Sequence, residues 1–243
     1  MTSNAVFITG AGRRLGRHFA LGFARRGYDV AVHYFTSENG ALQTVEEIHT
    51  MGRKAVALQA DARSTDEMRT AINQAAETLG TPCVLVANSG VFPKPEALPN
   101  LNDEQLNAAF AVNVLGGFNA AKAYADLSPE DGRIIIVSSL GGLQVWRQRI
   151  PYNVSKAAAI QLSKALAREL APEISVNCVC PGAVMIADEP SPSENSLRAV
   201  ERIPMKRHAT PDDVFDAVYF FATASRYITG QVLAIDGGIL LTS

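Results

Sequence analysis

The chain has 243 residues, 47% of them hydrophobic and 19% charged, with a formal net charge of −2 and three cysteines. That length suits one hydrophobic core, so residues 1–243 read as a single domain. The near-neutral balance gives no electrostatic case for nucleic acid or an anionic membrane, and no apolar run approaches the roughly 18 residues of a membrane span.

Met1-Thr2-Ser3-Asn4 runs straight into an apolar strand without signal-peptide features, and a cytoplasmic location is expected. Ala5–Ile8 reads as a first strand, and Arg14 to Arg26 as a helix ending near Gly27. Asp29–His33 is a second strand, followed by a helix from about Gly40 to Met51 that Gly52 stops. Ala55–Gln59 is a third strand, with a helix from Thr65 to Leu79 before Gly80. Val84–Ala87 and Arg133–Val137 are continuous apolar runs, as expected for strands covered on both faces. Ile174–Asn177 and Val232–Ile235 complete seven strands. Strands alternating with helices imply an α/β fold with a parallel sheet and right-handed crossovers. The Pro/Ser-rich stretch 188–194 reads as a loop, not a domain boundary.

After the first strand comes Thr9-Gly10-Ala11-Gly12-Arg13-Arg14-Leu15-Gly16. Glycines here let a backbone approach a pyrophosphate, whose charge a helix N-terminus favours. Arg13, Arg14 and Arg17 crowd the first helical turn, where the macrodipole disfavours cations by about 0.3–1 kcal/mol each. A solvated basic face would carry that penalty, and a bound phosphate would remove it. At the end of the second strand, His33-Tyr34-Phe35-Thr36-Ser37 offers hydroxyls and an imidazole, with no carboxylate before Glu38. An NAD enzyme usually has an acidic residue there for the ribose 2′-hydroxyl, so NADPH is favoured over NADH.

Further on, Tyr152 and Lys156 are four residues apart, which on a helix is one face. A cation beside a phenol favours its ionised form and would make a proton donor and acceptor usable near neutrality. Cys178 and Cys180, two apart in a β-rich run, should share one buried face, and C-x-C without a histidine cluster is not a zinc spacing. With four dispersed histidines, no metal site is expected.

The glycine turn, Asp61, Ala87-Asn88-Ser89-Gly90, Asn113, Ser139, Tyr152, Lys156, Pro181-Gly182 and Asp236-Gly237-Gly238 occur in this order along the whole chain. In this the chain resembles the short-chain dehydrogenase/reductase family. The resemblance implies a doubly wound Rossmann fold, its seven-stranded sheet in order 3-2-1-4-5-6-7 and flanked by helices. It implies that Tyr152 protonates a carbonyl oxygen as hydride arrives and that Lys156 lowers the Tyr152 pKa and bonds the nicotinamide ribose. Ser139 would polarise the carbonyl, and Asn113 would hold a water linking Lys156 to solvent. For the cofactor, the resemblance adds Gly10, Arg13, Arg14 and Leu15 to His33, Tyr34, Thr36 and Ser37. It puts Asp61 and Ala62 at the adenine, Asn88, Ser89 and Gly90 beside the ribose, and Pro181, Gly182 and Val184 at the nicotinamide. Structural alternatives stand beside these roles: Asp61 as a turn cap, Asn88–Gly90 as a tight strand exit, Pro181-Gly182 as a turn.

Most of the family has glycine where this chain has Arg14. Together with His33-Tyr34 and Ser37, Arg14-Leu15-Gly16 looks like the pteridine reductase branch, but that branch carries arginine at Thr36 and typically aspartate at Ser139. Reduction of a ketone or aldehyde is therefore the leading reading and reduction of a pterin the alternative. Phe92, Trp146 and a lid over about 185–207 would shape the substrate site. Arg147 and Arg149 read as a solvated loop or as contacts for an acidic substrate. Relatives usually form homotetramers through the helices carrying Asn113 and Tyr152, and the apolar face around Ala157 and Ile160 is compatible with that.

Overall fold

The computed structural model of the protein describes residues 4–186 and 200–242. Seven parallel strands form one sheet in the order β3-β2-β1-β4-β5-β6-β7. They are β1 (Ala5–Ile8), β2 (Asp29–Tyr34), β3 (Ala55–Gln59), β4 (Val84–Ala87), β5 (Gly132–Val137), β6 (Ile174–Pro181) and β7 (Val232–Ile235). The order reverses between β1 and β4, which opens a crevice at the carboxyl ends of the strands where such sheets bind ligands. The helices are α1 (Arg14–Arg25), α2 (Glu38–Thr50), α3 (Thr65–Leu79), α4 (Asp103–Phe110), α5 (Gly116–Asp126), α6 (Ile150–Glu169) and α7 (Pro211–Thr223). None among the described residues is long and apolar enough to cross a membrane.

Alternation along each strand splits the core in two. Val6, Ile8, Val30, Val32, Val84 and Val86 face Phe19 and Phe23 of α1 and Phe215 of α7. Phe7, Ala31, Leu85, Ile134 and Ile136 face Met68 and Ile72 of α3, Tyr124 of α5 and Ile160 of α6. Continuous apolar strands are needed because both faces of the sheet are covered. Gly22 is required by close approach, since a Cβ there would lie 2.7 Å from the Phe215 ring. Cys178 and Cys180 are buried on one face of β6 with their sulfurs 3.9 Å apart, as the alternation predicts.

Two differences from the sequence reading, and the capping of the helices, bear on the site. The fourth and fifth helices are joined without a break by a π-helical turn at Ala111–Leu115, which local pattern did not announce. Strand β6 continues to Pro181, four residues beyond its predicted end, and so carries the chain up to the crevice. The N-termini of α3, α4 and α7 are capped by the side chains of Ser64, Asn102 and Thr210. That of α1 has no side-chain cap and no acidic residue in its first turn.

Candidate active site

The glycine turn is held from two sides. Gly10, at φ +64°, donates its N–H to His33 Nδ1 at 3.1 Å. Asn88 Nδ2 donates to the carbonyls of Thr9 (3.0 Å) and Gly10 (3.3 Å), while the Thr9 hydroxyl accepts from the N–H groups of Asn88 and Ser89. Gly16 lets α1 lie against this turn, because a Cβ there would fall 2.1 Å from the Gly10 carbonyl oxygen. The N-terminus of α1 therefore presents uncapped N–H groups beside the exposed side chains of Arg13 and Arg14. Arg14 sits at φ +51°, in the left-handed region where glycine is at ease and arginine is strained by about 1–2 kcal/mol. Burial and the neighbouring Arg13 charge lower its pKa. Uncapped donors, crowded cations and a strained arginine together fit a dinucleotide diphosphate, because anion binding at a helix N-terminus relieves the first two. Arg17 instead forms an ion pair with Glu47 of α2.

At the end of β2 the structure engages His33 wholly within the fold. His33 is 1% exposed and both ring nitrogens are engaged, Nδ1 accepting from Gly10 N–H and Nε2 donating to the Ala60 carbonyl at 3.0 Å. Burial lowers its pKa to about 4, against the opposing pull of that carbonyl and of Asp61. A neutral, fully bonded imidazole ties the glycine turn to the strand β3 end and has no proton to offer a 2′-phosphate. Tyr34 is also largely buried, and burial and the nearby Glu38 carboxylate raise its pKa. Thr36, exposed, and Ser37, half-buried, are left as the hydroxyls at this end of the crevice. Leu15 is half-buried and packs against the core beneath α1.

The Asp61 carboxylate is engaged within its own turn. It accepts from the Arg63 N–H at 2.9 Å and forms a bidentate pair with the Arg63 guanidinium, the main reason its carboxyl is held below the usual range. Ala62 is buried, and its carbonyl accepts from Asn119 Nδ2 at 3.0 Å. Pro181 is buried at the end of β6; Gly182 donates to the Ile235 carbonyl, and Val184 pairs with Ala209 in a short parallel bridge. In the stretch read as a lid, residues 187–199 lie outside the described residues, as does all of 188–194.

The four groups expected to do chemistry converge beyond β4 and β5. Ser139 follows β5 in extended conformation, and its hydroxyl accepts from Gly141 N–H at 3.1 Å and lies close enough to the Tyr152 phenol to lower its pKa. Tyr152 and Lys156 share one face of α6, pinned to the sheet by the Ser138 hydroxyl donating to the Lys156 carbonyl at 2.8 Å. Lys156 is buried, and its Nζ donates to the Val137 carbonyl at 3.0 Å, 6.0 Å from the Tyr152 ring centroid. Burial lowers its pKa to about 8. The phenol is raised, chiefly by burial, and the groups that pull it back down are Ser139 and Arg149. The expected depression of Tyr152 by Lys156 is thus not what this geometry gives; a different cation, not foreseen in that role, stands close enough to act.

Asn113 sits in the π-helical turn, where its Nδ2 donates to the Val91 carbonyl and to Ser155 Oγ while Oδ1 accepts from Val91 N–H at 2.7 Å. Both amide protons are used and one Oδ1 lone pair remains for a water. A Cβ on Gly90 would lie 3.1 Å from that oxygen and 3.3 Å from Lys156 Nζ, so the missing side chain leaves a gap facing both. Asn88 and Ser89 sit at the exit of β4, Asn88 fastened to the glycine turn and Ser89 within 3.1 Å of where a Gly10 Cβ would stand.

Over the phenol lies an aromatic wall. Phe92 meets Tyr152 edge-on at 4.5 Å, and Trp146 stacks on it at 5.9 Å with 16° between planes. The Arg149 guanidinium stands 4.0 Å over the Phe92 ring and donates to the Pro93 carbonyl. The signal that could have singled out Arg149 was its place three residues before Tyr152, one turn away. Among the described residues no cluster of three metal-ligating side chains occurs.

Residues 10–240 match a protein-family model described as enoyl-(acyl carrier protein) reductase. The chain is 33% identical to the 3-oxoacyl-[acyl-carrier-protein] reductase FabG of Staphylococcus epidermidis, over 98% of this chain and 100% of that one. Among solved structures it is similar to a blue fluorescent protein from a metagenomic library in complex with NADPH, with TM-score 0.90 and 32% identity over 98% of each chain. A doubly substituted Serratia marcescens short-chain dehydrogenase/reductase matches with TM-score 0.90 and 30% identity, also over 98% of each chain.

Proposed function

The chain belongs to the short-chain dehydrogenase/reductase family, and we propose that it is an NADPH-dependent reductase that converts a ketone or aldehyde to an alcohol. The observation that carries this reading is the convergence of Ser139, Tyr152 and Lys156 beside a glycine turn whose helix N-terminus is uncapped and flanked by Arg13 and Arg14. Residues of the turn, Thr36, Ser37 and the Asn88–Gly90 exit would hold the dinucleotide, with Asp61–Ala62 and Pro181–Val184 at its two ends. A reduced nicotinamide supplies the hydride that the carbonyl carbon accepts.

The chain's own residues supply the proton. Partly buried and raised in pKa, the Tyr152 phenol stays protonated at neutral pH and can act as the acid toward the carbonyl oxygen. Ser139, beside that phenol, offers a hydroxyl to the same oxygen as charge develops there. Lys156, near pH 8 in pKa, can return a proton through the gap it shares with Asn113 Oδ1. The aromatic wall of Phe92 and Trp146 keeps water from the phenol.

FabG of S. epidermidis is named for 3-oxoacyl-[acyl-carrier-protein] reduction, which makes 3-oxoacyl thioesters one natural class to assay. The pterin alternative has one observation in its favour, the half-exposed Phe92 ring at the mouth of the site, on which a flat heterocycle could stack. Exposed Leu115, Phe118 and Val154 are consistent with assembly as a homotetramer through α5 and α6.

The test is NADPH oxidation followed by absorbance on ketones, aldehydes, 3-oxoacyl thioesters and dihydropterins. Carbonyl turnover that Tyr152→Phe lowers by about 10²–10⁴-fold, with NADPH binding retained, is the expected result. Turnover of dihydropterins alone would move the protein to the alternative, and turnover insensitive to Tyr152→Phe would remove the proposed mechanism.

A further inference from the structure

We propose that Arg149 is a specificity-determining residue that binds a carboxylate on the substrate, so that short oxo acids are reduced in preference to the corresponding neutral ketones and esters. This rests on the carbonyl reductase reading above.

The geometry starts from Phe92. Its ring centroid is 4.5 Å from that of Tyr152, and the Arg149 guanidinium stands 4.0 Å over the same ring. Phe92 is therefore in contact with both the cation and the ring of the phenol that would meet the carbonyl, and the cation is close enough to act on that phenol directly. A carboxylate within a few bonds of the carbonyl spans the interval between cation and phenol.

Arg149 is also fixed in place. It donates to the Pro93 carbonyl, 56 residues away in sequence, and the Glu96 N–H donates to the Gln148 carbonyl at 3.0 Å, tying the two loops together. An arginine held on an aromatic face keeps the remaining donors of its planar fork available for a bidentate partner. Glu96 is the acidic side chain of these loops, and its Oε1 accepts from Ala97 N–H and Asn100 Nδ2. No carboxylate among the described residues forms an ion pair with Arg149. Partial burial lowers the pKa of Arg149, and the phenol of Tyr152 is the group that pulls it back up. A half-buried guanidinium with aromatic neighbours and no ion-paired acid is a site that an incoming anion would compensate. Pro151 and Ile150 begin α6 directly after Arg149, so the cation sits at the N-terminal end of the helix that carries Tyr152.

The decisive measurement is kcat/KM for a short 3-oxo acid and for its methyl ester, in the wild-type protein and in Arg149→Gln and Arg149→Lys. Removing the cation also alters the phenol, so both substrates lose rate in Arg149→Gln; the readout is the acid-to-ester ratio. That ratio is expected to favour the acid in the wild type and to fall about 10–100-fold in Arg149→Gln, the size of a lost charge-assisted pair. Arg149→Lys is expected to retain part of it. NADPH binding by fluorescence, unchanged in both variants, reports the fold. A ratio unchanged within about twofold, with both substrates falling together, assigns Arg149 a merely structural or phenol-directed role and overturns the proposal while leaving the reductase reading intact. Reduction of neither compound, nor of any other carbonyl, overturns both.

Discussion

Replacing Lys156 with methionine should make the protein more stable and inactive. The buried ammonium has a pKa of about 8 where a free lysine has 10.5, because burial disfavours the charged form. That depression corresponds to about 3 kcal/mol of unfavourable charge burial at pH 7, where the group is protonated in both folded and unfolded chains. Methionine fills similar volume without charge but forfeits the bond from Nζ to the Val137 carbonyl, a loss of about 1 kcal/mol. The net expectation for Lys156→Met is a gain of about 2 kcal/mol at pH 7, or about 4–8 °C in Tm for a chain of this size. The sign with pH is fixed by the same shift. Between pH 8 and 10.5 the folded wild type has lost the proton while the unfolded chain still binds it, so wild-type stability rises with pH through that window. The gap should therefore close within that window and, above it, reverse to about 1 kcal/mol in favour of the wild type, the hydrogen bond that methionine lacks. Thermal melts without cofactor at pH 7, 9 and about 10.5 measure this, with NADPH turnover as the activity control. A lower Tm for Lys156→Met at pH 7, or a gap that does not narrow between pH 8 and 10.5, would refute the burial argument.

Arg14→Gly is expected to keep or raise stability, by up to about 1 kcal/mol, since glycine accepts the left-handed backbone that arginine occupies at φ +51°. The same change should lower the preference for NADPH over NADH by about 10–100-fold in kcat/KM, if the arginine contacts a phosphate. An unchanged preference would show that the strain serves something else. His33→Phe removes the bonds to Gly10 N–H and the Ala60 carbonyl and should lower stability by about 2 kcal/mol in a denaturant melt. The NADPH-to-NADH selectivity of that variant should stay within about twofold of wild type; a larger loss would return the imidazole to the 2′-phosphate.

Local pattern carried much of the fold. The apolar runs of β4 and β5, the glycines that end α1, α2 and α3, and the shared face of Cys178 and Cys180 all depend on neighbours within one turn or one pleat. The i, i+4 spacing of Tyr152 and Lys156 is local in the same way, and both side chains reach the site. The order of the strands came from resemblance, because periodicity gives strands but not their neighbours.

Other features were decided only by chain segments far apart in sequence. His33 became a buried strut because Gly10 and Ala60 close on its two nitrogens from β1 and β3, which its own strand pattern cannot show. Asp61 chose Arg63 through a turn geometry that the spacing permits but does not impose. Arg149 reads in sequence as a solvated loop charge or a contact for an acidic substrate, and its place over Phe92 beside Tyr152 is decided only when the β4 and β5 exits meet. Sequence determines what each segment can form, through hydrogen bonds and side-chain periodicity within a few residues. Burial, and with it the protonation and partners of a polar group, depends on which distant surfaces exclude water from it, and tertiary packing alone decides that.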